Sequence, residues 1–436
     1  MVQENNVYVY DGTVVPKTVT NVVVKCGMKK IQDKAFFHCR DLKSIHIPDT
    51  TGLTEIGVGS FMGCTNLVSI ELPSSIERID DAAFYHCSSL KSVLFHSEIT
   101  ESDYSIPSNA PPQLTRIGQS AFFGCTNLVS INLPPSINDI GEHAFHECTN
   151  LVSIKIPSSM NKINIGTFSL CQSLTSIILP LSINEIDDCG FDDCSSLRSI
   201  IIQKSHDTQN SDLILNESES LPSIELSSLK IIGDFAFSGC SSIESLHLPS
   251  QMEFIGCGAF SDCTSLRSII LPSSVGFMKH SLTCSNKVFD NCCSIKKIMI
   301  QSSIHNIDPE VVLFLLDDII KKNPDLAQTP CTADSCLPLH LFIMFGYFES
   351  RQNRLKTLIQ TIPESLISCD PVYNMYPFQL AACTPLFKKE IKVGSITSFI
   401  IRKEKEQIET IYLLLREEPG VAKKMISTQI PNLNHV

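Results

Sequence analysis

The sequence predicts an α/β solenoid: a parallel β-sheet built one strand per repeat over residues 1–307, followed by an all-α helical region over 308–436. Three observations predict it. Phenylalanines recur at Phe36, Phe61, Phe84, Phe122, Phe145, Phe168, Phe191, Phe237, Phe260 and Phe289, each followed three residues later by a cysteine. A short alternating apolar segment follows each pair. After Ile307 this period stops and the apolar spacing becomes helical.

Five of the nine intervals between these phenylalanines are 23 residues, and Phe191 to Phe237 is 46, twice 23. The other three carry 2, 15 and 6 extra residues. The cysteines are Cys39, Cys64, Cys87, Cys125, Cys148, Cys171, Cys194, Cys240, Cys263 and Cys292. A Leu or Ile stands three further on, then a segment such as Ser69-Ile70-Glu71-Leu72-Pro73 or Ser153-Ile154-Lys155-Ile156-Pro157. An Ile pair three apart closes the unit, as in Ile76 and Ile79. The Ile-x-Leu/Ile segment reads as a strand, because alternate β-branched residues point to one face. Proline ends it, since it cannot donate to a ladder. One strand per unit cannot bury its own apolar face, so the units must stack.

These residues resemble the leucine-rich repeats of the BspA-like class, the Treponema pallidum type, over roughly residues 22–307. The resemblance implies a curved solenoid with the strand sheet on its concave side. Val22–Val24 is expected to form the edge strand that caps the stack. Leu221–Leu226 aligns with Leu67–Leu72 and hides an eleventh strand, its Phe–Cys half replaced by polar sequence. The insertions 96–113 and 203–220 interrupt the period without destroying its phase, so they are expected to leave the stack as surface loops.

In the tail, Val311–Ile320 is an amphipathic helix beginning after Asp308-Pro309, a cap and first-turn pair. Leu337–Phe342 and Tyr376–Ala381 then recur 39 residues apart. They resemble divergent ankyrin repeats, with Pro338-Leu339-His340 and Pro377-Phe378-Gln379 at the T-P-L-H motif. A plain array of helical hairpins is the alternative.

Composition excludes several functions. Lys plus Arg total 34 against 46 acids, a formal charge of −12, which opposes a nucleic-acid or anionic-membrane binder. The longest strongly apolar run, Val311–Leu316, is too short to span a bilayer. The first six residues carry no secretory signal pattern. A cytoplasmic protein with reduced thiols is therefore expected. No C-x-x-C, HExxH, P-loop, G-x-G-x-x-G or G-x-S-x-G occurs. No catalytic residue, cofactor or metal site is assigned. The cysteine column reads as core packing. Cys331, Cys336, Cys369 and Cys383 lack the paired spacing of a zinc site.

The outward strand positions are the place for a protein partner. They comprise a near-constant Ser, a variable residue and usually Pro. The variable column is His46, Glu71, Leu94, Asn132, Lys155, Ile178, Ile201, Glu225, His247, Ile270 and Met299. A non-catalytic protein–protein interaction scaffold is the expected function, binding on this column, on the helical tail, or on both. A cell-surface adhesion role, which the resemblance permits, is the alternative. An enzyme with a site in the tail ranks third.

Overall fold

The structure, a computed structural model, describes residues 7–48, 51–95, 113–203, 223–225, 228–249, 251–271 and 288–300, with Ile319, Ile320, Asn323, Asp325 and Leu326 beyond them. Two compact units divide the chain: 1–266 with 276–292, and 267–275 with 293–436.

The first unit is a stack of coils with a long-strand side and a short-strand side, each side a row of parallel strands divided into shorter hydrogen-bonded sheets. The long-strand side holds the strands expected from the alternating segments. Val7–Tyr10, Asn21–Val24 and Ser44–His46 pair in that order. Ser69–Leu72, Ser92–Phe95 and Ser130–Ile131 pair next, then Ser153–Lys155, Ser176–Pro180 and Ser199–Gln203. Ser223–Glu225, the hidden strand, pairs with Ser245–His247. Asn21–Val24 is not the edge as expected. Val7–Tyr10 pairs outside it, residue for residue. The Val7-Tyr8-Val9-Tyr10 stretch is β-branched and aromatic but lacks the Phe–Cys half, so the period did not reveal it.

The short-strand side was not foreseen. Two-residue strands at Lys30–Ile31, Glu55–Ile56, Arg78–Ile79, Arg116–Ile117 and Asp139–Ile140 pair in parallel. Lys162–Ile163, Glu185–Ile186, Ile231–Ile232 and Phe254–Ile255 do the same. The Ile of each points into the core, and the residue before it faces out or lies part-buried. Most of those outer residues are charged, and they and their neighbours form ion pairs within and between coils. Lys30 contacts Glu55; Arg78 reaches Glu55 at 3.4 Å and Asp80 at 3.1 Å; Arg116 bonds Asp139 at 3.1 Å; Lys230 bonds Glu253 at 2.9 Å. Asp80 is the buried member. Burial and its hydrogen bond to Glu55 push its carboxyl above the usual range, against the pull of Arg78. Against the cost of its own burial, Glu55 is held below that range by Lys30 and Asp80.

Between the sheets lies the core. All ten phenylalanines are completely buried. Successive rings stack nearly parallel, with centroids 5.0 Å apart at Phe36–Phe61 and 5.6 Å at Phe145–Phe168, and interplanar angles of 2° and 4°. The insertions do not break the column. Phe84 stacks on Phe122 at 5.2 Å and Phe191 on Phe237 at 5.3 Å. At its start Tyr10 closes the column, its ring 5.0 Å from Phe36 and tilted by 55°. The Tyr10 hydroxyl accepts a hydrogen bond from the Gln32 N–H at 3.2 Å. Insertion residues 96–112 and 204–220 lie outside the described residues.

The turn bearing each Phe is an unusual ladder. The residues two before and two after the ring adopt positive φ: Lys34 and His38 around Phe36, Ala82 and His86 around Phe84, Gly166 and Leu170 around Phe168. That conformation costs a non-glycine residue about 1 kcal/mol or more. It also turns alternate N–H groups toward the following coil. Lys34, Phe36 and His38 donate to the carbonyls of Val58, Ser60 and Met62 at 2.9, 2.7 and 2.7 Å. Gly59, Phe61 and Gly63 donate to Asp81, Ala83 and Tyr85 in turn. The pattern repeats to Phe260, which donates to Val288. The hydrogen bonds offset the backbone strain and tie every coil to the next.

Glycine appears in this ladder where the preceding coil needs the space. Gly124 has φ +67°, and a Cβ there would fall on the His86 imidazole. Gly124→Ala is expected to lower stability by about 1–2 kcal/mol. His86→Ala in the same chain should recover the steric part. Chemical denaturation of the three variants measures both, and additive losses would exclude the clash.

The cysteine column does more than fill space. The Sγ of Cys64, Cys87, Cys125, Cys148 and Cys171 donates to the carbonyls of Phe36, Phe61, Phe84, Phe122 and Phe145 at 3.0–3.3 Å. Cys194, Cys240, Cys263 and Cys292 do the same to Phe168, Phe191, Phe237 and Phe260. Most of the Phe carbonyls also accept the N–H of their own Cys, as in Cys64 to Phe61 at 3.0 Å. A small side chain with a donor meets the need of a buried carbonyl's second lone pair.

In the second unit, Ser268–Leu271 pairs in parallel with Lys297–Ile300. Ile319 and Ile320 have helical backbone geometry, and the rest of the Val311–Ile320 segment lies outside the described residues. So do both ankyrin-like motifs and Cys331, Cys336, Cys369 and Cys383. Among the described residues, no helix is long and apolar enough to cross a membrane.

Candidate partner-binding face

The long-strand side turns one face to solvent. From Ser44 to Ser245 the strands begin at Ser and bury the next residue, an Ile, Val or Leu; the residue after that faces out or lies part-buried. Ser69-Ile70-Glu71-Leu72 shows this in full. Register aligns the serines: Ser69 opposite Ser92, Ser130 opposite Ser92, and Ser153, Ser176 and Ser199 in line.

The variable residues accordingly form columns. Lys155, Ile178 and Ile201 lie opposite one another on three adjacent strands, as do Glu71 and Leu94. His46, Glu71, Asn132 and Lys155 are exposed, Ile178 and His247 are part-buried, Leu94 is 50% exposed and Ile201 37%. Glu225 is in a strand, opposite His247. Ile270 and Met299 belong to the second unit, where they face each other across its strand pair. The proline expected among the outward residues is not there. Pro73, Pro134, Pro157, Pro180 and Pro249 are buried. Each opens a turn in which its carbonyl accepts the N–H three residues on, as in Ile76 to Pro73 at 3.1 Å. The chain bends inward there, and the ring follows it into the core.

A second outward column escaped the sequence reading. It is the residue before each Ser: Lys43, Val68, Lys91, Val129, Val152, Thr175 and Arg198, all exposed. Backbone bonds from Lys91 to Val68, Val152 to Val129 and Arg198 to Thr175 tie neighbours together. The variable x in the Leu-x-Ser spacing was its signal.

The two sheets treat charge differently. On the short-strand sheet, Lys30, Arg78, Arg116, Lys162 and Lys230 all meet carboxylates. On the long-strand face, Lys43, Lys91, Lys155 and Arg198 are exposed and form no ion pair among the described residues. Carboxylates on the turns serve the backbone. Asp81 accepts the Gln119 N–H at 2.9 Å, and Asp234 the Cys257 N–H at 2.7 Å. Among the described residues no group of three His, Cys, Asp or Glu is placed to hold a metal.

Coils joined by two rows of parallel strands, a phenylalanine ladder and a cysteine ladder define a leucine-rich-repeat protein. The family described as the BspA type leucine rich repeat region matches residues 15–109, 106–218 and 213–313, and the chain belongs to it. Among solved structures, it resembles a leucine-rich repeat protein from Bacteroides ovatus: 25% identity, TM-score 0.44, covering 66% of this chain and 65% of that one. The Treponema pallidum leucine-rich repeat protein matches at 23% identity and TM-score 0.34, over 52% of this chain and 79% of that one. A leucine-rich cell surface protein from Faecalibacterium prausnitzii matches at 23% identity and TM-score 0.33, over 66% and 80%. No curated protein matches the sequence.

Proposed function

We propose that the chain is a non-catalytic protein–protein interaction scaffold that binds its partner on the long-strand face. One observation carries this reading: Lys155, Ile178 and Ile201 stand in register on adjacent strands, so two aliphatic side chains lie together beside a cation on a solvent-facing sheet. Such a cluster has the make-up of a binding hot spot. A repeat stack offers extended surface of this kind at little structural cost. The ankyrin-like reading of residues 308–436 adds a second platform. We place the protein in the cytoplasm, because nine thiols used as hydrogen-bond donors suit a reducing compartment.

Ile178→Glu/Ile201→Glu is expected to abolish partner capture in pull-downs while circular dichroism stays unchanged. A chain truncated after Asp308 should still capture the partner. Normal capture by the double variant, with capture lost on truncation, would move the site to the tail.

A further inference from the structure

We infer that the long-strand face of the first unit takes an extended acidic segment of a partner protein. This rests on the reading of that face as the binding face and adds the chemistry of what it binds. The chain carries a formal charge of −12. Against that excess of carboxylates, this face accumulates cations that form no ion pair among the described residues. Its outward positions from Ser44 to Ile201 hold Lys43, Lys91, Lys155 and Arg198, with Glu71 as the acid among them. The cations of the opposite sheet meet carboxylates within the fold; these four meet none among the described residues.

Their placement is regular. Counting coils from Ser44, Lys43 is on the first, Lys91 on the third, Lys155 on the fifth and Arg198 on the seventh. Lys43, Lys91 and Arg198 share the column before Ser, and Lys155 stands three residues further along its strand. Two strand spacings measure ~9.6 Å. A polyproline II segment repeats every three residues, ~9.3 Å. A carboxylate at every third position of such a segment, laid across the strands, would meet Lys43, Lys91 and Arg198, with Lys155 reaching toward it from about 10 Å along its strand. Between the cations lie Val68, Leu94, Val129 and Val152, all exposed. They suit the apolar residues of a polypeptide and have no counterpart in a phosphate backbone. Charge complementarity of this kind sets specificity and encounter rate.

Fluorescence anisotropy with the full-length chain tests this with defined probes. The first is a labelled peptide of about four Glu-Pro-Val repeats; controls replace Glu by Gln or by Lys, and a DNA duplex of random sequence is the other polyanion. The Glu peptide should bind roughly tenfold or more tightly than either control, and raising salt from about 50 to about 300 mM should weaken it. Lys43→Glu/Lys91→Glu/Lys155→Glu/Arg198→Glu should remove that binding with an unchanged melting temperature. Should the variant lose its fold, Gln at the same four positions provides the comparison, with at least a tenfold loss expected. Tighter binding of DNA than of the Glu peptide overturns the inference. So does a Glu affinity no better than that of the controls. Binding that survives the four charge changes but is lost in Ile178→Glu/Ile201→Glu overturns the acidic specificity and leaves the face standing. Binding indifferent to both variants overturns both readings.

Discussion

Above pH 9 the protein is expected to lose stability steeply. Burial pushes the Cys125 and Cys171 thiols up to about 12 from the ordinary 9.0, and raises those of Cys87, Cys148, Cys194 and Cys240 as well. In each case the folded pKa lies above the unfolded one. The unfolded chain therefore gives up its protons first. The stabilisation is fully present below the unfolded pKa and is lost as pH rises toward the folded one. Between these limits each thiol removes about 1.4 kcal/mol per pH unit. Cys125 and Cys171 together give a slope of roughly 3 kcal/mol per unit between about pH 9 and pH 12, and the other four thiols act in the same direction. Urea titrations between pH 8 and pH 11 measure it. Cys171→Ser keeps a donor for the Phe145 carbonyl and removes the titrating thiol. It should flatten the slope by about 1.4 kcal/mol per unit. A slope unaffected by that change would show that lysine and tyrosine ionisation governs alkaline unfolding instead.

Phe168→Ala is expected to cost about 3–5 kcal/mol. The ring is completely buried and lies between Phe145 at 5.6 Å and Phe191 at 5.4 Å. Removing it empties one level of the column and strips two stacked neighbours of contact. Coils share their interfaces, so the loss should unfold a block of repeats together rather than one. Hydrogen exchange should show protection falling from Phe145 through Phe191 while the distant Phe36 coil holds. A loss below about 1 kcal/mol would mean that the surrounding side chains collapse into the space.

Much of this architecture was legible because it repeats. A ring or a thiol returning in one phase has to occupy one place in the coil, and the column of ten rings follows from spacing alone. The insertions were readable as excursions for the same reason, and Phe84–Phe122 and Phe191–Phe237 stack across them. The short strands left no such trace. Two residues are too few for alternation to show, and their outer position varies from Lys30 to Glu55 to Phe254. The positive-φ positions were hidden because Lys, His, Ala, Ser, Leu, Cys, Asp and Phe occupy many of them, so glycine did not mark them. The buried prolines were misread as outward because strand alternation was carried one residue past the bend. On the long-strand face, the variable column was visible as variation, whereas Lys43, Lys91 and Arg198 emerged as a set only once it was seen that they form no ion pair among the described residues.

The turn ladder gives the stack a direction. Every coil offers its ring-flanking N–H groups toward the next coil and its carbonyls toward the previous one. A cut between two coils would therefore leave unlike lips, one bristling with donors and the other with acceptors. The Phe37 carbonyl, on the first turn of the ladder, is already covered by the Lys17 ammonium. Fragments made by such a cut could not join face to like face as a two-fold pair. They would add head to tail, and since nothing closes that arrangement, they would grow into open filaments.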